Sequence, residues 1–453
     1  MVRKVTLLSL AVPMFIEMLL FSLLGMVDMF VLSRVSDEAA GGVGACNQIL
    51  SITNIVFNII CIGANVLVSQ YIGAKNSDSA QKTMAVSYTM VSAVGIMASA
   101  VLFFLGKPIL RLMGVTSELL VHGETYMGIV GGMMFMQAIL NISTVIMRTH
   151  GYSKETLGIT AGMNVINVLG DVILVFGFNM GTAGAAWATA MSRFFAMLMA
   201  LGFVLRNILD REAFRHIREV PMRIIRDLFK VGLPSALENI CYNVSQVVLT
   251  GIMLYNLGDT AYIARTYTNQ IIFIFITLSI SIGQANQILI GRLVGAGKFD
   301  EAYHTCLKNF RKALLVTLGI SAVFFLFGGT FIRIFTDDTE IIKLSAMVLM
   351  ADAFLEPGRT FNVVIINALK GSGDAVFPVI IGIISMWSVA TLGAWILGVV
   401  AGFGLVGMWA AMAMDEWLRG FISLHRWHSR KWTSKRWLPT KHDSWPYCRR
   451  QEP

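Results

Sequence analysis

The chain has 453 residues, of which 56% are hydrophobic and 14% are charged, and its mean hydropathy is +0.68. This composition excludes a soluble domain and indicates a polytopic membrane protein. The formal net charge of +9 does not indicate nucleic-acid binding, because the basic residues are concentrated between the apolar runs, as membrane orientation requires.

Apolar runs long enough to cross a bilayer recur along the whole chain. About 20 helical residues span the roughly 30 Å hydrocarbon layer, and the runs lack the alternating pattern of an outer-membrane barrel. The sequence therefore predicts an all-α membrane protein with twelve transmembrane helices. In chain order, helices 1 to 12 are expected at about residues 5–33, 41–72, 83–105, 118–147, 156–178, 183–205, 231–257, 262–291, 312–330, 341–369, 375–400 and 404–424.

Basic residues are clustered in the segments that join these helices. The clusters at 148–154, 206–230, 292–312 and from Arg426 onward lie on one side of the membrane if there are twelve spans. The positive-inside rule then predicts cytoplasmic termini in a bacterial-type inner (plasma) membrane. The basic tail, which contains Trp427 and Trp432, is expected to rest on anionic headgroups. Binding of RNA or a protein partner is the alternative for this tail.

An internal repeat with an offset of about 222 residues divides the chain. The matched positions include Pro13 with Pro234, Glu17 with Glu238, Gln48 with Gln270, and Gly73 with Gly295. The repeat predicts two six-helix lobes, 1–205 and 231–424, with a cytoplasmic linker at 206–230 and a tail at 425–453. Lobes with an even number of helices enter the membrane from the same side, so the repeats are parallel. Parallel repeats are typical of transporters that work by alternating access.

The acidic residues that lie most clearly inside the predicted helices are Glu17, Asp28, Asp171, Glu238 and Glu356. Ionisable residues within a membrane are candidates for function by default. Asp28 is about 23 residues into helix 1, roughly 35 Å along its axis and therefore near its outer end. Asp171 lies in the outer half of helix 5, with Asn167 one turn before it on the same face. Thr189 lies in the first two turns of helix 6.

The residues Asp28, Asn167, Asp171 and Thr189 are therefore expected at a similar depth in the first repeat. Two carboxylates, an amide and a hydroxyl suit a hard cation such as Na+. A carboxylate pair in a low dielectric can hold a proton instead. The structural alternative is that Asp28 caps a kink or bonds a neighbouring helix, while the amide and the hydroxyl link helices.

The other polar candidates are expected to contact substrate or to have structural roles; they are Glu17, Gln48, Glu238, Gln270, Glu356 and Arg359. Glu356 and Arg359 are spaced i, i+3 and are expected to pair with each other. Glu238 follows Pro234 by one turn, as Glu17 follows Pro13, which favours a structural role at a helix break over binding of a cationic substrate.

Several motifs, in their order and double occurrence, resemble the multidrug and toxin extrusion (MATE) transporters. They are LLGMVDMFVLSRV, GAKNSDSAQ, NVINVLGD and GTAGAAWAT in the first half, and QANQILIGRLVGAGKFDEA and NALKGSGDAVFP in the second. The resemblance covers residues 5 to 424 approximately and implies the twelve-helix MATE/MOP-type fold. By resemblance to the DinF-like branch, Asp28, Asn167, Asp171 and Thr189 form the cation site. The NorM-like branch fits less well, because Glu356 is expected to be neutralised by its own arginine.

The resemblance implies an antiporter, coupled to Na+ or H+, that exports organic drugs or toxins of cationic or amphipathic character. Pro13 and Gly25 are expected to let helix 1 bend during transport. The alternative is a flippase for lipid-linked precursors in the same superfamily. Its pyrophosphate would require several basic residues facing the cavity, and the few intramembrane arginines, such as Arg265 and Arg359, keep this alternative open.

No catalytic or nucleotide-binding motif lies within the predicted helices, so an enzyme is not expected. We expect no cofactor, and no metal beyond a possible Na+ at the coupling site. The expected partners are a small-molecule substrate and the lipid bilayer, without nucleic acid, and the protein is expected to act as a monomer.

Overall fold

The structure is a computed structural model that describes residues 3–210 and 222–435. Within these residues the regular secondary structure is helical and includes no strand. The predicted all-α fold class is therefore confirmed. Parts of the predicted linker and tail, residues 211–221 and 436–453, lie outside the described residues.

The helices of the structure are named here α1 to α12. The first half contains α1 Leu7–Val35, α2 Asp37–Gly73, α3 Ser77–Leu112, α4 Ser117–Thr149, α5 Ser153–Gly177 and α6 Gly181–Asn207. The second half contains α7 and α8, which are the parts of Met222–Gly295 before and after Gly258, then α9 Phe299–Ile332, α10 Thr339–Ser372, α11 Val376–Val400 and α12 Gly404–His428.

The number of helices fits the predicted twelve. Nine helices of the described residues are long and apolar enough to cross a membrane, and one of these has 74 residues. That helix divides at Gly258, where φ is 77° and ψ is −175°, a conformation that glycine adopts without steric cost. Two further helices, α10 and α12, are also long enough to cross a membrane, but charged residues interrupt their apolar stretches. The break at Gly258 lies between the predicted helices 7 and 8.

Local sequence signals explain where several helices begin. The Thr6 hydroxyl accepts a hydrogen bond from the backbone N–H of Ser9, and Ser9 reciprocates in a capping box before α1. Ser36 and Asn76 cap α2 and α3 in a similar way, with side-chain oxygens that accept from backbone N–H groups at 3.0 Å. These side chains satisfy donors that the first helical turn leaves unpaired.

Each half has a buried apolar core, and contacts also cross between the halves. The largest core cluster runs from Val31 to Leu228, and a second runs from Leu249 to Ala413. A smaller cluster joins Leu10 of α1 to residues of α8 and α10. The division into two lobes at 1–205 and 231–424 stays a prediction, because α1 packs on both sets of helices.

The two halves meet through a reciprocal pair of hydrogen bonds, which we call the latch. The Gln70 amide donates to the carbonyl of Gly371 at 2.9 Å. At the positions 222 residues away, the Arg292 guanidinium donates to the carbonyl of Thr149. Arg292 also donates to the carbonyl of Arg3 at 2.9 Å. The latch therefore follows the internal repeat, with a neutral donor in one half and a charged donor in the other.

Matched glycines bring the backbones together beside the latch. A Cβ on Gly73 would lie 1.9 Å from the carbonyl oxygen of Arg292, and a Cβ on Gly295 would lie 2.0 Å from that of Gln70. Neither position accommodates any larger residue while the halves are packed as they are here. The repeated glycines are thus explained by a close approach between α2 and α8.

The beginning of the tail differs from the expectation drawn from the sequence. α12 continues to His428, beyond the predicted end at residue 424, and a 3₁₀ turn follows at Lys431–Lys435. Trp427 and Trp432 stack with ring centroids 4.2 Å apart and are 0% exposed. These two indoles therefore pack inside the protein and do not rest on headgroups, because burial of their large apolar surfaces is favourable.

Candidate functional site

α1 and α5 bring two carboxyl groups together. The side chains of Asp28 and Asp171 lie next to each other. Asp171 is only 1% exposed, and Asp28 is half-buried. Ionised carboxylates have acceptors and no donor, so two of them in contact repel each other unless a proton or a cation lies between them. The pair is therefore arranged to bind positive charge.

The other two residues predicted for this site lie in the same cluster. Asn167 is 0% exposed and Thr189 is 4% exposed, and the Asn167 amide donates to the Thr189 hydroxyl at 3.4 Å. Tyr126 of α4, which the sequence did not indicate, lies close to Thr189. The structure thus brings together side chains from α1, α4, α5 and α6.

Several oxygens of this cluster have no hydrogen-bond partner among the described residues. They are Oδ1 of Asp28, Oδ1 of Asn167, and both carboxylate oxygens of Asp171. Most buried polar atoms in proteins are hydrogen-bonded, so such a concentration requires an explanation. Carboxylate and amide oxygens are typical ligands of hard cations, and a shared proton is the other way to satisfy a carboxyl pair. The residues present fit either Na+ or H+.

The donor set differs from that of a transition-metal centre. Within residues 3–210 and 222–435, no group of three or more His, Cys, Asp or Glu side chains has the arrangement of a metal site. The cluster consists of hard oxygen donors without thiolate or imidazole, which are the ligands that zinc and copper prefer.

α5 changes its geometry directly after Asp171. The α-helix ends at that residue and continues as a π-helix over Val172–Gly177. π-helical turns are rare and occur frequently at functional sites. In α11, which matches α5 in the repeat, π-helical turns occur at Met386–Thr391 and Ile396–Val400. The distortion therefore belongs to the repeated framework, whereas an acidic residue beside it occurs in α5 and has no counterpart in α11. No feature of the sequence VILVFG predicted it.

A guanidinium lies close to the acid pair. Arg193 is one turn beyond Thr189 on α6 and acts electrostatically on Asp28 and Tyr126. Among the described residues, its hydrogen bond is to Sδ of Met134 at 3.8 Å. A thioether is a weak acceptor, so this bond leaves most of the guanidinium donors available. The i, i+4 spacing to Thr189 was a signal in the sequence for this placement.

Glu17 and Glu238 form matched ion pairs in the two halves. Glu17 pairs with Arg148 at 2.8 Å, and Glu238 pairs with Lys370 at 2.6 Å. Arg148 and Lys370 are 222 residues apart, so the repeat itself could have identified both partners. Each pair joins the first helix of its half to the fourth, which agrees with a structural role for both glutamates.

Three more acidic residues of the second half, Glu356, Asp415 and Glu416, lie in a buried network with arginines. Glu356 is hydrogen-bonded to Arg359, and Arg359 also faces Glu416 at 3.7 Å. Arg419 pairs with Asp415 at 2.6 Å and with Glu416 at 3.2 Å. We call these five residues the arginine network. Its carboxylates already have cationic partners, in contrast to the acid pair of the first half.

The structure places the other predicted residues as follows. Gln48 and Gln270 are exposed, and neither belongs to the acid cluster. Pro13 lies inside α1, which is one continuous helix of 29 residues in this structure. Gly25 has open space on its Cβ side. Bending of α1 at Pro13 or Gly25 stays a prediction.

Comparisons with known proteins agree with this architecture. The family model described as MatE matches residues 13–173 and 234–396, one match in each repeat. The uncharacterized transporter YisQ of Bacillus subtilis is 35% identical over 437 residues, which are 96% of each chain. The probable multidrug resistance protein NorM of Thermotoga maritima is 27% identical and covers 88% of this chain and 89% of its own. A crystal structure of MATE in the bent conformation superposes with a TM-score of 0.86 at 19% identity, over 94% of both chains, which shows the fold alone.

Proposed function

Because this chain belongs to the MatE family of membrane transporters, we propose that it is an antiporter in which Na+ or H+ drives the export of organic drugs or toxins. Relatives are named as multidrug resistance and multidrug export proteins. The family is one of multi-pass inner-membrane transporters, so no catalytic role is proposed. Cationic or amphipathic substrates, and termini in the cytoplasm, are the finer parts of this proposal.

The main support for the proposal is that several oxygens around Asp28 and Asp171 have no hydrogen-bond partner in the part of the chain that the structure describes. A cation or proton bound there satisfies these oxygens and removes the repulsion between the two carboxylates. One charge that moves down about 100 mV supplies roughly 2.3 kcal/mol, near fifty-fold in concentration. The position of this site favours the arrangement of the DinF-like branch.

Coupling requires that cation and substrate favour different conformations. We place the response in α1, which carries Asp28 together with the bending points Pro13 and Gly25. Cation binding rearranges α1 and lowers the affinity for the substrate, which then leaves. The return to the opposite state requires the two halves to separate at the latch, because Gln70 and Arg292 hold them together there.

Arg193 has a part in this cycle as a tethered positive charge. Its electrostatic action on Asp28 opposes the binding of a free cation, while its weak bond to Met134 leaves it able to approach the carboxylates. In the cation-free state the guanidinium compensates the acid pair, and the incoming cation displaces it. Cation affinity is thereby kept low enough for release.

The flippase alternative is not favoured. It depended on arginines available to a pyrophosphate, and two of them have partners in the structure. Arg265 donates to the Thr250 hydroxyl at 2.7 Å and to the Gln246 amide oxygen at 2.8 Å. Arg359 is engaged by Glu356 within the arginine network.

The test is export of ethidium by the purified full chain in liposomes, with Na+ and pH gradients imposed separately. We expect export under one of the two gradients and its loss in Asp28→Asn and Asp171→Asn. Asp78→Asn is the matched control, since Asp78 is exposed and, among the described residues, its ion pair is with Lys82 at 2.7 Å. Export at the wild-type rate in both site variants would reject this cation site.

A further inference from the structure

A basic groove lies on the exposed face of α9, away from the acid cluster. It is an open depression with a volume of about 430 Å³. Its lining combines basic and aliphatic side chains from successive turns of one helix: His304, Leu307, Lys308, Arg311, Lys312 and Leu315. We call this surface the basic groove.

Among the described residues, no acidic side chain compensates the positive charges of the basic groove. Within the described parts of the chain, no carboxylate forms an ion pair with Lys308, Arg311 or Lys312. Neighbouring basic residues are paired: Lys298 with Glu301 at 2.8 Å, and Arg430 with Asp300 at 2.6 Å. The groove thus concentrates positive charge on one exposed face.

The groove lies where α9 leaves the hydrocarbon layer. α9 has 34 residues, about 51 Å at 1.5 Å per residue, so it exceeds the roughly 30 Å hydrocarbon core by about 20 Å. The uncharged part of the helix begins at Ala313, and Leu315 and Leu326 are 70% and 71% exposed. The basic side chains therefore lie at headgroup depth, next to leucines that face acyl chains.

The internal repeat shows that the fold does not require these charges. Residues 222 positions earlier lie on α3, where Val86, Thr89 and Met90 correspond to Lys308, Arg311 and Lys312. Val86 is buried, and Thr89 donates its hydroxyl proton to the carbonyl of Ala85. The same helix of the same framework is built without basic side chains in the first half, so the groove is a feature of the second half alone.

We propose that the basic groove binds the headgroup of an anionic phospholipid. The phosphodiester lies between Lys308, Arg311 and Lys312, where the arginine offers two parallel N–H donors to phosphate oxygens. One acyl chain follows Leu307 and Leu315 into the bilayer. Basic clusters mark the cytoplasmic side of a membrane protein, and the cytoplasmic leaflet carries the anionic lipids that such a site recognises.

The experiment is native mass spectrometry of the purified full chain in detergent, titrated with phosphatidylglycerol or phosphatidylcholine. The variant is Lys308→Gln/Arg311→Gln/Lys312→Gln. The control variant also removes three positive charges, but from exposed residues away from the groove. These residues lie near the end of α3, directly after α9 and near the start of α10, and the variant is Arg111→Gln/Arg333→Gln/Lys343→Gln. Thermal unfolding of each protein establishes that it is folded, and the single variant Arg311→Gln serves if the triple variant unfolds.

We expect the groove variant to bind phosphatidylglycerol at least about tenfold more weakly than wild type, since each basic residue near an anionic surface contributes roughly fivefold. The groove variant should bind phosphatidylcholine as wild type does. The control variant should bind phosphatidylglycerol as wild type does. Equal phosphatidylglycerol binding by wild type and groove variant would overturn the proposal. So would displacement of the lipid by millimolar inorganic phosphate, which would identify a site for free phosphate instead.

Discussion

The two halves share a framework but differ in charge at matched positions. In the first half, Asp28 faces Asp171, and three of their four carboxylate oxygens have no hydrogen-bond partner among the described residues. The position that matches Asp28 in the second half is Leu249 or Thr250, and the Thr250 hydroxyl accepts a hydrogen bond from Arg265 at 2.7 Å. One half thus presents negative charge where the other presents a guanidinium. The two copies of the repeat thus share backbone features, while only the first copy is suited to bind a cation.

The acidic residues of the second half have a different environment. In the arginine network each carboxylate has a cationic neighbour, and Glu356 is 0% exposed. Buried charges remain ionised at acceptable cost when they are paired and hydrogen-bonded. We therefore interpret the acid pair of the first half as the site that changes during transport and the arginine network as a structural element.

The largest expected effect concerns the acid pair itself. Asp171→Asn should reduce cation-driven ethidium export to the level of protein-free liposomes, because the amide replaces a charged ligand with a neutral one. Thr250→Val alters the matched position in the second half and should leave the rate within about twofold, as expected of a change remote from the coupling site. Equal losses in the two variants would break the proposed asymmetry between the halves.

For stability, we expect the larger effect from a substitution in the second half. Arg419→Met leaves buried carboxylates without their partner and should destabilise the protein by about 3–5 kcal/mol, as other broken buried ion pairs do. Arg193→Met removes an arginine that forms no ion pair among the described residues, and it should change stability by less than about 1 kcal/mol. Chemical denaturation in detergent measures both values. Similar losses in the two variants would show that Arg193 is also structural.

Arg193 should affect the affinity for the coupling cation more than the stability of the fold. Arg193→Gln removes a positive charge close to Asp28, which is worth on the order of 1–2 kcal/mol at an intermediate dielectric. The cation concentration that gives half-maximal export should therefore fall about tenfold. Arg193→Lys keeps the charge and serves as the control. An unchanged cation dependence in Arg193→Gln would exclude the tethered-charge role.

The smallest expected effect concerns the latch. Arg292→Ala removes charge-assisted bonds to the carbonyls of Thr149 and Arg3, whereas Gln70→Ala removes one neutral bond, worth about 1 kcal/mol. Spin labels at the exposed positions Lys154 and Lys298 should report a larger population of long distances in Arg292→Ala than in Gln70→Ala. Equal populations would show that the two arms of the latch contribute equally.

The sequence was sufficient for those features that depend on composition along the chain. Hydropathy predicted the all-α fold and helix positions that fit the structure, because the length of an apolar run is a local property. The repeat and the depth of each polar residue selected Asp28, Asn167, Asp171 and Thr189, which the structure brings into one cluster. The pairing of Glu356 with Arg359 followed from helical spacing.

Only the tertiary structure decided which faces meet. Helices that are apolar on all sides carry little periodic signal for their rotation, so Tyr126 at the acid cluster and Glu416 beside Arg359 were not foreseen. The same limit applies to the π-helical turn after Asp171 and to the burial of Trp427 and Trp432, which depend on neighbouring helices. Membrane insertion is determined residue by residue along the chain, whereas a polar cluster depends on how several helices rotate and pack against one another.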